Sequence, residues 1–255
     1  MQELKDKIVI ISGALGDIGL AIATAYLKAQ AVVVLSDIVP LDKAEEKLLL
    51  LEEYNGNFEY KCLNVSDDKE VEIFINEVEA KYGRIDHCIS NAARVTIKNF
   101  KTLSPEEWSL EMRVNVDGAF YFANFAAKSM VQKQVKGSIL FLGSWAAHAV
   151  HQNLPAYSVS KSAVRMINQT MALEYATNGI RVNEIAPGYV NAGLSKTVWS
   201  ELPEQKSISQ TKVPLGKIME AEEVAAQVLW LNSNQCQHVT GSTFLMDGGL
   251  SLLRP

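Results

Sequence analysis

Short apolar runs alternate with longer amphipathic segments along most of the chain. The short runs, rich in Val, Ile and Leu, predict strands buried on both faces, and the longer segments predict helices between them. The predicted strands cover residues 7–12, 31–36, 58–63, 85–90, 138–142, 180–185 and 242–246. The predicted helices cover residues 18–29, 41–54, 67–82, 105–131, 155–175 and 221–231. This regular alternation predicts an α/β protein with a doubly wound, seven-stranded parallel sheet and helices on both faces.

Residues 188–215 interrupt this alternation. The segment is rich in Gly, Asn, Ser and Pro but also contains Trp199 and Leu202. A long interruption in a compact domain is often a lid or a binding loop. No linker, repeat or low-complexity segment divides the rest. We therefore expect a single domain over residues 1–255, with a substrate-binding loop or lid around residues 188–215.

Composition and charge narrow the classes of function. The chain has 255 residues, 48% of them hydrophobic, and its formal charge of −5 gives no general attraction to nucleic acid or anionic membranes. No apolar run approaches the roughly 20 residues of a membrane span, and the charged first residues do not resemble a signal peptide. The three cysteines, Cys62, Cys88 and Cys236, are too far apart for a C-x-x-C motif and are expected to be buried free thiols. A cytoplasmic protein is expected.

A glycine-rich turn, Ser12 to Gly19, lies between the first strand and the first helix. Glycines here permit a tight turn, and the helix N-terminus offers unpaired N–H groups to a diphosphate. The second strand ends at Asp37, whose carboxylate can accept hydrogen bonds from both hydroxyls of an adenosine ribose and would repel a 2′-phosphate. No Lys or Arg stands in the turn or beside Asp37 in the sequence. The pattern therefore predicts a dinucleotide site that prefers NAD over NADP.

Tyr157 and Lys161 are four residues apart in a predicted helix. Positions i and i+4 share one face of a helix. A nearby ammonium favours the phenolate form of tyrosine, so the phenol could exchange a proton with a substrate oxygen near neutral pH. Four histidines lack metal-ligand spacing, with the possible exception of His148 and His151, and no metal is expected.

Together these motifs resemble the short-chain dehydrogenase/reductase family over nearly the whole chain. The family's T-G-x-x-x-G-x-G turn is matched by Ser12, Gly13 and Gly19, but Asp17 occupies the place of the middle Gly, with Gly16 before it. The displaced glycine puts close approach of the diphosphate in doubt. The resemblance implies a Rossmann fold.

Further motifs support the resemblance, and some depart from it. The N-N-A-G motif appears as Ser90-Asn91-Ala92-Ala93, and Asn64 replaces the acidic residue that often follows the third strand. Pro187-Gly188 matches the motif beside the nicotinamide. The Thr that usually follows is Ala192 here, so one cofactor contact is expected to be lost, although main-chain groups such as those of Val190 could still serve.

The resemblance implies hydride transfer between nicotinamide C4 and a substrate carbon. Tyr157 would be the acid/base, Lys161 would lower its pKa and bind the nicotinamide ribose, Ser144 would orient the substrate oxygen, and Asn115 would hold a water linked to Lys161. The residues expected to bind the cofactor are Gly13, Leu15, Gly16, Asp17, Ile18, Gly19, Asp37, Asn64, Val65, Asn91, Ala92, Tyr157, Lys161, Pro187, Gly188 and Val190. The residues expected to contact substrate are Arg94, Ser144, Trp145, His151, Tyr157, Tyr189 and Trp199.

Three functions remain open at this point. The first is an NAD-dependent dehydrogenase of a secondary alcohol, with a small polyhydroxylated substrate (a sugar, polyol or sugar acid) favoured by His151, Gln152 and Asn153. The second is a 3-oxoacyl thioester reductase, against which Asp37 argues because such enzymes usually prefer NADPH. The third is a nucleotide-binding regulatory or scaffold protein without turnover. The resemblance also implies a homotetramer.

Overall fold

Successive side chains of the central strands point to opposite faces of a single parallel sheet. The computed structural model describes residues 4–253, apart from the side chain of Leu194. Within this range the sheet has seven strands in the order β3-β2-β1-β4-β5-β6-β7, which confirms the predicted fold class. The strands are β1 (Ile8–Ser12), β2 (Val32–Asp37), β3 (Phe58–Cys62), β4 (His87–Ser90), β5 (Ser138–Leu142), β6 (Arg181–Pro187) and β7 (Thr243–Met246).

Each of the six predicted helices is found in its expected place, with three differences in detail, two of which raise the number of described α-helices to nine. They are α1 (Asp17–Lys28), α2 (Leu41–Leu48), α3 (Asp68–Tyr82), α4 (Pro105–Met112), α5 (Gly118–Gln132), α6 (Pro155–Tyr175), α7 (Gly193–Glu201), α8 (Pro203–Lys212) and α9 (Ala221–Asn232). The helix predicted at 41–54 ends as α2 and continues as a 3₁₀ turn over Leu49–Tyr54. Residues 188–215 contain two helices, α7 and α8, because their Gly and Pro residues stand at the helix starts.

The long helix predicted at 105–131 is interrupted at its centre. One turn of π-helix, Arg113–Asp117, joins α4 to α5, and the N–H of Gly118 donates to the carbonyl of Arg113, five residues earlier. Such turns are rare and occur frequently at functional sites. The π turn contains Asn115, so the irregular part of this helix coincides with a predicted catalytic residue.

Both faces of the sheet are buried. Ile8 and Ile10 of β1 belong to a core with α3, α5 and α6, whereas Val9 and Ile11 belong to a second core with α1 and α9. Successive side chains of these strands enter one core or the other, so neither face of the sheet is polar. This explains the continuous apolar runs in the sequence. The strand order reverses between β1 and β4, and ligands bind outside the carboxyl ends of the strands at such a point.

Two expectations about the chain as a whole can be compared with the structure. No helix in the described range is long and apolar enough to span a membrane. Cys88 and Cys236 are buried free thiols, as expected, but Cys62 is exposed. The expectation of burial was wrong for Cys62 because β3 is the edge strand of the sheet.

His87 provides a test of how the core responds to acid. It is buried in β4, where the Tyr26 hydroxyl lies 3.1 Å from its Nδ1, and burial lowers its pKa from 6.5 to about 3. Below pH 6.5 the imidazole of His87 therefore binds a proton in the unfolded chain but stays neutral in the folded protein. The resulting stabilisation is complete above pH 6.5 and is lost as the pH falls towards 3.

We expect wild type to lose about 2 kcal/mol more unfolding free energy than His87→Gln between about pH 6.5 and pH 4.5. Urea unfolding followed by circular dichroism at several pH values measures this difference. The exposed His238 provides the matched control His238→Gln, which should retain the wild-type pH dependence. Parallel pH profiles of wild type and His87→Gln would contradict the prediction.

Candidate active site

The glycine-rich turn after β1 is fitted closely against the residues that follow β4. The side chain of Asn91 donates to the carbonyls of Ser12 and Gly13, at 3.1 and 2.8 Å. Gly13 has a φ of +61°, and a Cβ there would lie 2.6 Å from Cα of Ala92. A Cβ on Gly19 would lie 2.4 Å from the carbonyl oxygen of Gly13. A side chain at either position would clash with backbone atoms, so both positions require glycine.

Asp37 ends β2 at the wall of the same turn. Its carboxylate accepts from the N–H of Leu15 at 3.1 Å and from that of Val39 at 3.3 Å. Lys47, which the sequence argument missed, comes from α2 to donate to the carbonyl of Leu15 at 2.6 Å. No Lys or Arg stands within the turn or next to Asp37 in the sequence, but Lys47 lies beside the turn in the folded protein. Leu15 itself is buried and contributes through its backbone.

Ser144, Tyr157 and Lys161 come together at the carboxyl end of β5. Pro155 begins α6, so Tyr157 and Lys161 lie in its first turns. The Lys161 ammonium donates to the carbonyl of Leu142 at 2.6 Å and lies 5.6 Å from the centre of the Tyr157 ring. Ser144 stands two residues beyond β5; its hydroxyl accepts from the N–H of Ala146 at 3.1 Å, and the residue lines the same cavity as Tyr157.

The protonation of this pair differs from the simple expectation. Burial raises the pKa of Tyr157 to about 12, although the hydrogen bond with Ser144 acts in the opposite direction. Burial lowers the pKa of Lys161 to about 8. The expected lowering of the tyrosine pKa by Lys161 is not seen, since the ammonium is directed to a backbone carbonyl and desolvation of the phenol is the largest influence.

Two buried carboxyl groups near Lys161 were not anticipated from the sequence. Glu111 lies in α4 and Glu184 in β6, and both are fully buried. Burial raises the pKa of each carboxyl group, while the positive charge of Lys161 lowers it. In return both carboxyl groups raise the pKa of Lys161. Glutamates in a helix and a strand carry no sequence signal for such a role, because only tertiary packing brings them near the lysine.

Asn115 uses its side chain to connect three segments. Its amide donates to the carbonyl of Arg94 at 2.9 Å and to the hydroxyl of Ser160 at 3.0 Å. Its carbonyl oxygen accepts from the N–H of Arg94 at 2.7 Å. The side chain therefore fixes the segment after β4 against α6. The side chain of Asn115 is occupied by these contacts, so the water that the resemblance implies would bind to the backbone groups of this residue.

One cavity of about 1030 Å³ contains nearly all the predicted site residues. It runs from the glycine-rich turn, past Ser144 and Tyr157, to α7. Of the predicted residues, Leu15 and Asn115 are absent from the described lining. The predicted residues in the lining are Gly13, Gly16, Asp17, Ile18, Gly19, Asp37, Asn64, Val65, Asn91, Ala92, Arg94, Ser144, Trp145, His151, Tyr157, Lys161, Pro187, Gly188, Tyr189, Val190 and Trp199.

The end of the cavity beyond Tyr157 is largely apolar. The rings of His151, Trp145, Tyr189 and Trp199 follow one another edge to face, with centroid separations of 4.0, 5.3 and 6.2 Å. Apolar side chains that the sequence argument did not single out complete this wall: Val95, Ile97, Leu110, Val114, Leu154 and Val198. Val198 lies within segment 188–215, which was predicted to bind substrate, and this position could have indicated its place in the wall.

Only part of the polar loop before α6 faces this cavity. His151 lines it, and burial lowers the pKa of His151, so that the imidazole is neutral at pH 7. Gln152 and Asn153 instead line a neighbouring cavity, together with Phe100 and Val150. Two of the three residues that favoured a polyhydroxylated substrate therefore lie outside the cavity that holds Tyr157.

A buried Tyr–Lys pair beside a glycine-rich turn, at the carboxyl edge of a doubly wound parallel sheet, is typical of an oxidoreductase of the Rossmann type. Residues 13–251 match a family model described as enoyl-(acyl carrier protein) reductase. The chain belongs to the short-chain dehydrogenase/reductase family.

Individual relatives are similar over almost their whole length. Glucose 1-dehydrogenase 2 of Bacillus subtilis is 31% identical, covering 98% of this chain and 97% of the relative. A 3beta-hydroxysteroid dehydrogenase of Eggerthella lenta is also 31% identical, covering 98% and 96%. The crystal structure of a short-chain dehydrogenase from Bacillus anthracis has 29% identity and a TM-score of 0.92, with 99% of each chain covered.

Proposed function

We propose that the protein is an NAD(H)-dependent oxidoreductase that interconverts a secondary alcohol and a ketone. The observation that carries the proposal is the convergence of Ser144, Tyr157 and Lys161 in one cavity with the glycine-rich turn. A bound dinucleotide would supply the hydride acceptor or donor. The chain supplies position and the transfer of one proton.

The proton is transferred at the phenol oxygen of Tyr157. When an alcohol is oxidised, its carbon loses a hydride to the dinucleotide and its oxygen loses a proton to the phenolate. In the reverse direction the phenol returns the proton to the ketone oxygen. Ser144 donates a hydrogen bond to the same oxygen and stabilises its developing negative charge. The ammonium of Lys161 lies near the Tyr157 ring, and its positive charge would stabilise the phenolate that forms when the phenol gives up its proton.

The residues of the turn fit an NAD dinucleotide. Gly13 and Gly19 both line the cavity, and neither has room for a side chain because an added Cβ would meet backbone atoms. The Asp37 carboxylate accepts two backbone hydrogen bonds, and a carboxylate has about four acceptor positions. Two positions therefore remain for ribose hydroxyls. A 2′-phosphate would meet this negative charge, which supports NAD over NADP.

Asp37→Ala tests the choice of cofactor. Loss of charge-assisted hydrogen bonds should raise the Kd for NADH by roughly tenfold, while the Kd for NADPH falls because the repulsion is removed and Lys47 is close by. Fluorescence titration with each reduced dinucleotide gives the two constants. Asp42→Ala, at an exposed acid in α2, is the control. An unchanged ratio of the two constants would refute the role of Asp37.

The lining supports a substrate with an apolar ring face more than a small polyol. Aromatic and aliphatic side chains make up most of the lining beyond Tyr157, and the imidazole of His151 and the guanidinium of Arg94 are polar groups among them. A cyclic secondary alcohol can stack on such a wall, with its hydroxyl at Ser144 and Tyr157. The polyhydroxylated substrate stays a prediction, now supported by His151 alone.

The decisive experiment follows NADH appearance with NAD and a panel of steroid and terpenoid alcohols, sugars, polyols and hydroxy acids. NADPH oxidation with a short 3-oxoacyl thioester runs beside it. Turnover of cyclic apolar alcohols supports the proposal, and turnover of sugars alone restores the polyol hypothesis. Turnover of the thioester alone would make the protein a reductase of that class. Dinucleotide binding without any turnover would favour the scaffold hypothesis.

The thioester reductase has little support from surface charge. Such an enzyme needs a basic patch for an acidic carrier protein, and Lys128, Lys133 and Lys136 are the candidates. The ammonium of Lys133 is paired with Glu79 at 3.0 Å, and that of Lys128 lies over the ring of Phe125. These contacts reduce the positive charge available to a carrier.

We also propose self-association, most simply as a homotetramer. Phe120 of α5 and Met166 and Leu173 of α6 are exposed apolar side chains, and Leu173 is 82% exposed. In the C-terminal segment Leu252 is equally exposed. Burial of these side chains between subunits would stabilise an oligomer. A single domain with a lid at residues 188–215 and a cytoplasmic location also remain proposals.

A further inference from the structure

Two departures from the family's sequence pattern meet in space. Asp17 stands where the turn usually has glycine, and Ala192 stands where a threonine usually follows the Pro187-Gly188 motif. Ala192 precedes the first residue of α7 and has no side chain that could cap the helix. The carboxylate of Asp17, 176 positions away in sequence, accepts from the N–H of Gly193 at 2.6 Å instead.

Lys196 completes this contact. Its ammonium lies 3.4 Å from the other carboxylate oxygen of Asp17, and 58% of the Lys196 side chain is exposed. An exposed ion pair contributes at most about 1 kcal/mol. Lys196 is therefore held loosely, and its three N–H groups are not exhausted by one carboxylate.

The charged side chains that line the cavity leave the glycine-rich turn without a cation. Among the described lining residues, four side chains are charged: Asp17, Asp37, Arg94 and Lys161. Both acids lie at the glycine-rich turn, whereas Arg94 and Lys161 lie towards the substrate end. A dinucleotide diphosphate at the turn would meet two carboxylates and no cation of the lining. Two lysines outside the lining lie near this end of the cavity: Lys47, whose ammonium is directed to the carbonyl of Leu15, and Lys196, whose ammonium is directed to Asp17 of the lining.

We propose that Lys196 is a diphosphate-binding residue, positioned by Asp17, and that the two act as a unit. The ammonium neutralises Asp17 and at the same time presents positive charge to the diphosphate from α7. An acidic residue can then occupy the place of a glycine in a diphosphate-binding turn. The inference rests on the proposed binding of a dinucleotide, and it adds a residue from the segment 188–215 to that site.

The proposal makes the effect of Lys196 depend on Asp17. Lys196→Gln leaves the carboxylate facing the diphosphate without compensation, so the Kd for ADP-ribose should rise by about tenfold or more. In the double variant Asp17→Asn/Lys196→Gln the repulsion is also removed, and most of the affinity should return. Asp17→Asn alone removes both the repulsion and the charge that positions Lys196, so its affinity should stay within a few-fold of wild type. A double-mutant cycle therefore gives a large coupling between the two positions.

Calorimetric titration of the full-length protein with ADP-ribose measures these constants without reference to turnover. Adenosine, which lacks the diphosphate, should bind the variants equally. Lys212→Gln, an exposed lysine of α8 in the same segment, is the matched control. Raising the salt concentration should reduce the loss caused by Lys196→Gln, because exposed charges are screened.

The outcomes separate this inference from the proposed function. If wild type binds ADP-ribose and Lys196→Gln binds it equally well, Lys196 does not contact the diphosphate and the inference fails alone. An equal loss in the single and double variants would show that Lys196 acts without Asp17, which overturns the coupled unit. If wild type binds neither ADP-ribose nor NADH, the proposed function itself fails.

Discussion

Replacing Tyr157 with phenylalanine is expected to lower turnover by about 10²- to 10⁴-fold while dinucleotide binding persists. The substitution keeps the ring that lies beside Lys161 and removes only the hydroxyl. That hydroxyl belongs to the group whose pKa the nearby Ser144 lowers. The proton that accompanies hydride transfer then has no phenol oxygen to accept or donate it. Steady-state rates with the best substrate of the panel, together with a fluorescence titration with NADH, test both parts.

Tyr189→Phe is the matched control for this experiment. Tyr189 lines the same cavity and packs edge to face between Trp145 and Trp199, but its hydroxyl has no assigned part in proton transfer. We expect this variant to keep turnover within a few-fold of wild type. Turnover of Tyr157→Phe at the wild-type rate would make the proposed mechanism wrong. Loss of NADH binding as well would indicate that the phenol is needed for structure.

Gly13→Ala is expected to combine loss of dinucleotide binding with a large loss of stability. A left-handed conformation, with φ at +61°, costs an alanine about 1–2 kcal/mol. Overpacking against Cα of Ala92, 2.6 Å from the added Cβ, adds about 1–3 kcal/mol because backbone must move. Urea unfolding should show a loss of roughly 3 kcal/mol, and the Kd for NADH should rise by roughly tenfold or more.

The same turn contains its own control for that substitution. Gly16 has a φ of −71°, and a Cβ there would approach the carbonyl oxygen of Gly13 no closer than 3.6 Å. Gly16→Ala should therefore unfold within about 0.5 kcal/mol of wild type. Equal destabilisation by Gly13→Ala and Gly16→Ala would contradict the argument from backbone geometry. A weaker affinity for NADH in Gly16→Ala alone would instead reflect contact with the ligand.

The sequence predicted the sheet and most of its helices because their signal is local. Continuous apolar strands and amphipathic helices follow from side-chain periodicity, and the two cores around β1 use that periodicity on both faces. Motif spacing likewise predicted that Ser144, Tyr157 and Lys161 belong together. These residues lie at the ends or starts of elements, so the order of elements already brings them to one edge of the sheet.

Other parts of the site depend on contacts between distant segments, which spacing cannot reveal. Glu111 and Glu184 raise the pKa of Lys161 only after α4, α6 and β6 have packed. Lys47 reaches the turn from α2, 32 positions from its partner Leu15. The polarity of the substrate was predicted from three residues of one loop, and two of them, Gln152 and Asn153, line a different cavity. Side-chain direction in a loop has no periodic signal comparable to that of a strand.

The π turn between α4 and α5 ties the length of the chain to the orientation of the site. Each residue of a helix advances the chain by about 100° around the axis. The π turn holds one residue more than an α-helical turn, and its wider coil takes up that residue without rotating α4 against α5. Deleting one residue from Arg113–Asp117 would therefore allow a continuous α-helix in which Phe122 and Ala126 stay in the core. The change would fall on Asn115, whose contacts with Arg94 and Ser160 are made from the π turn, so the site would be altered while the fold is kept.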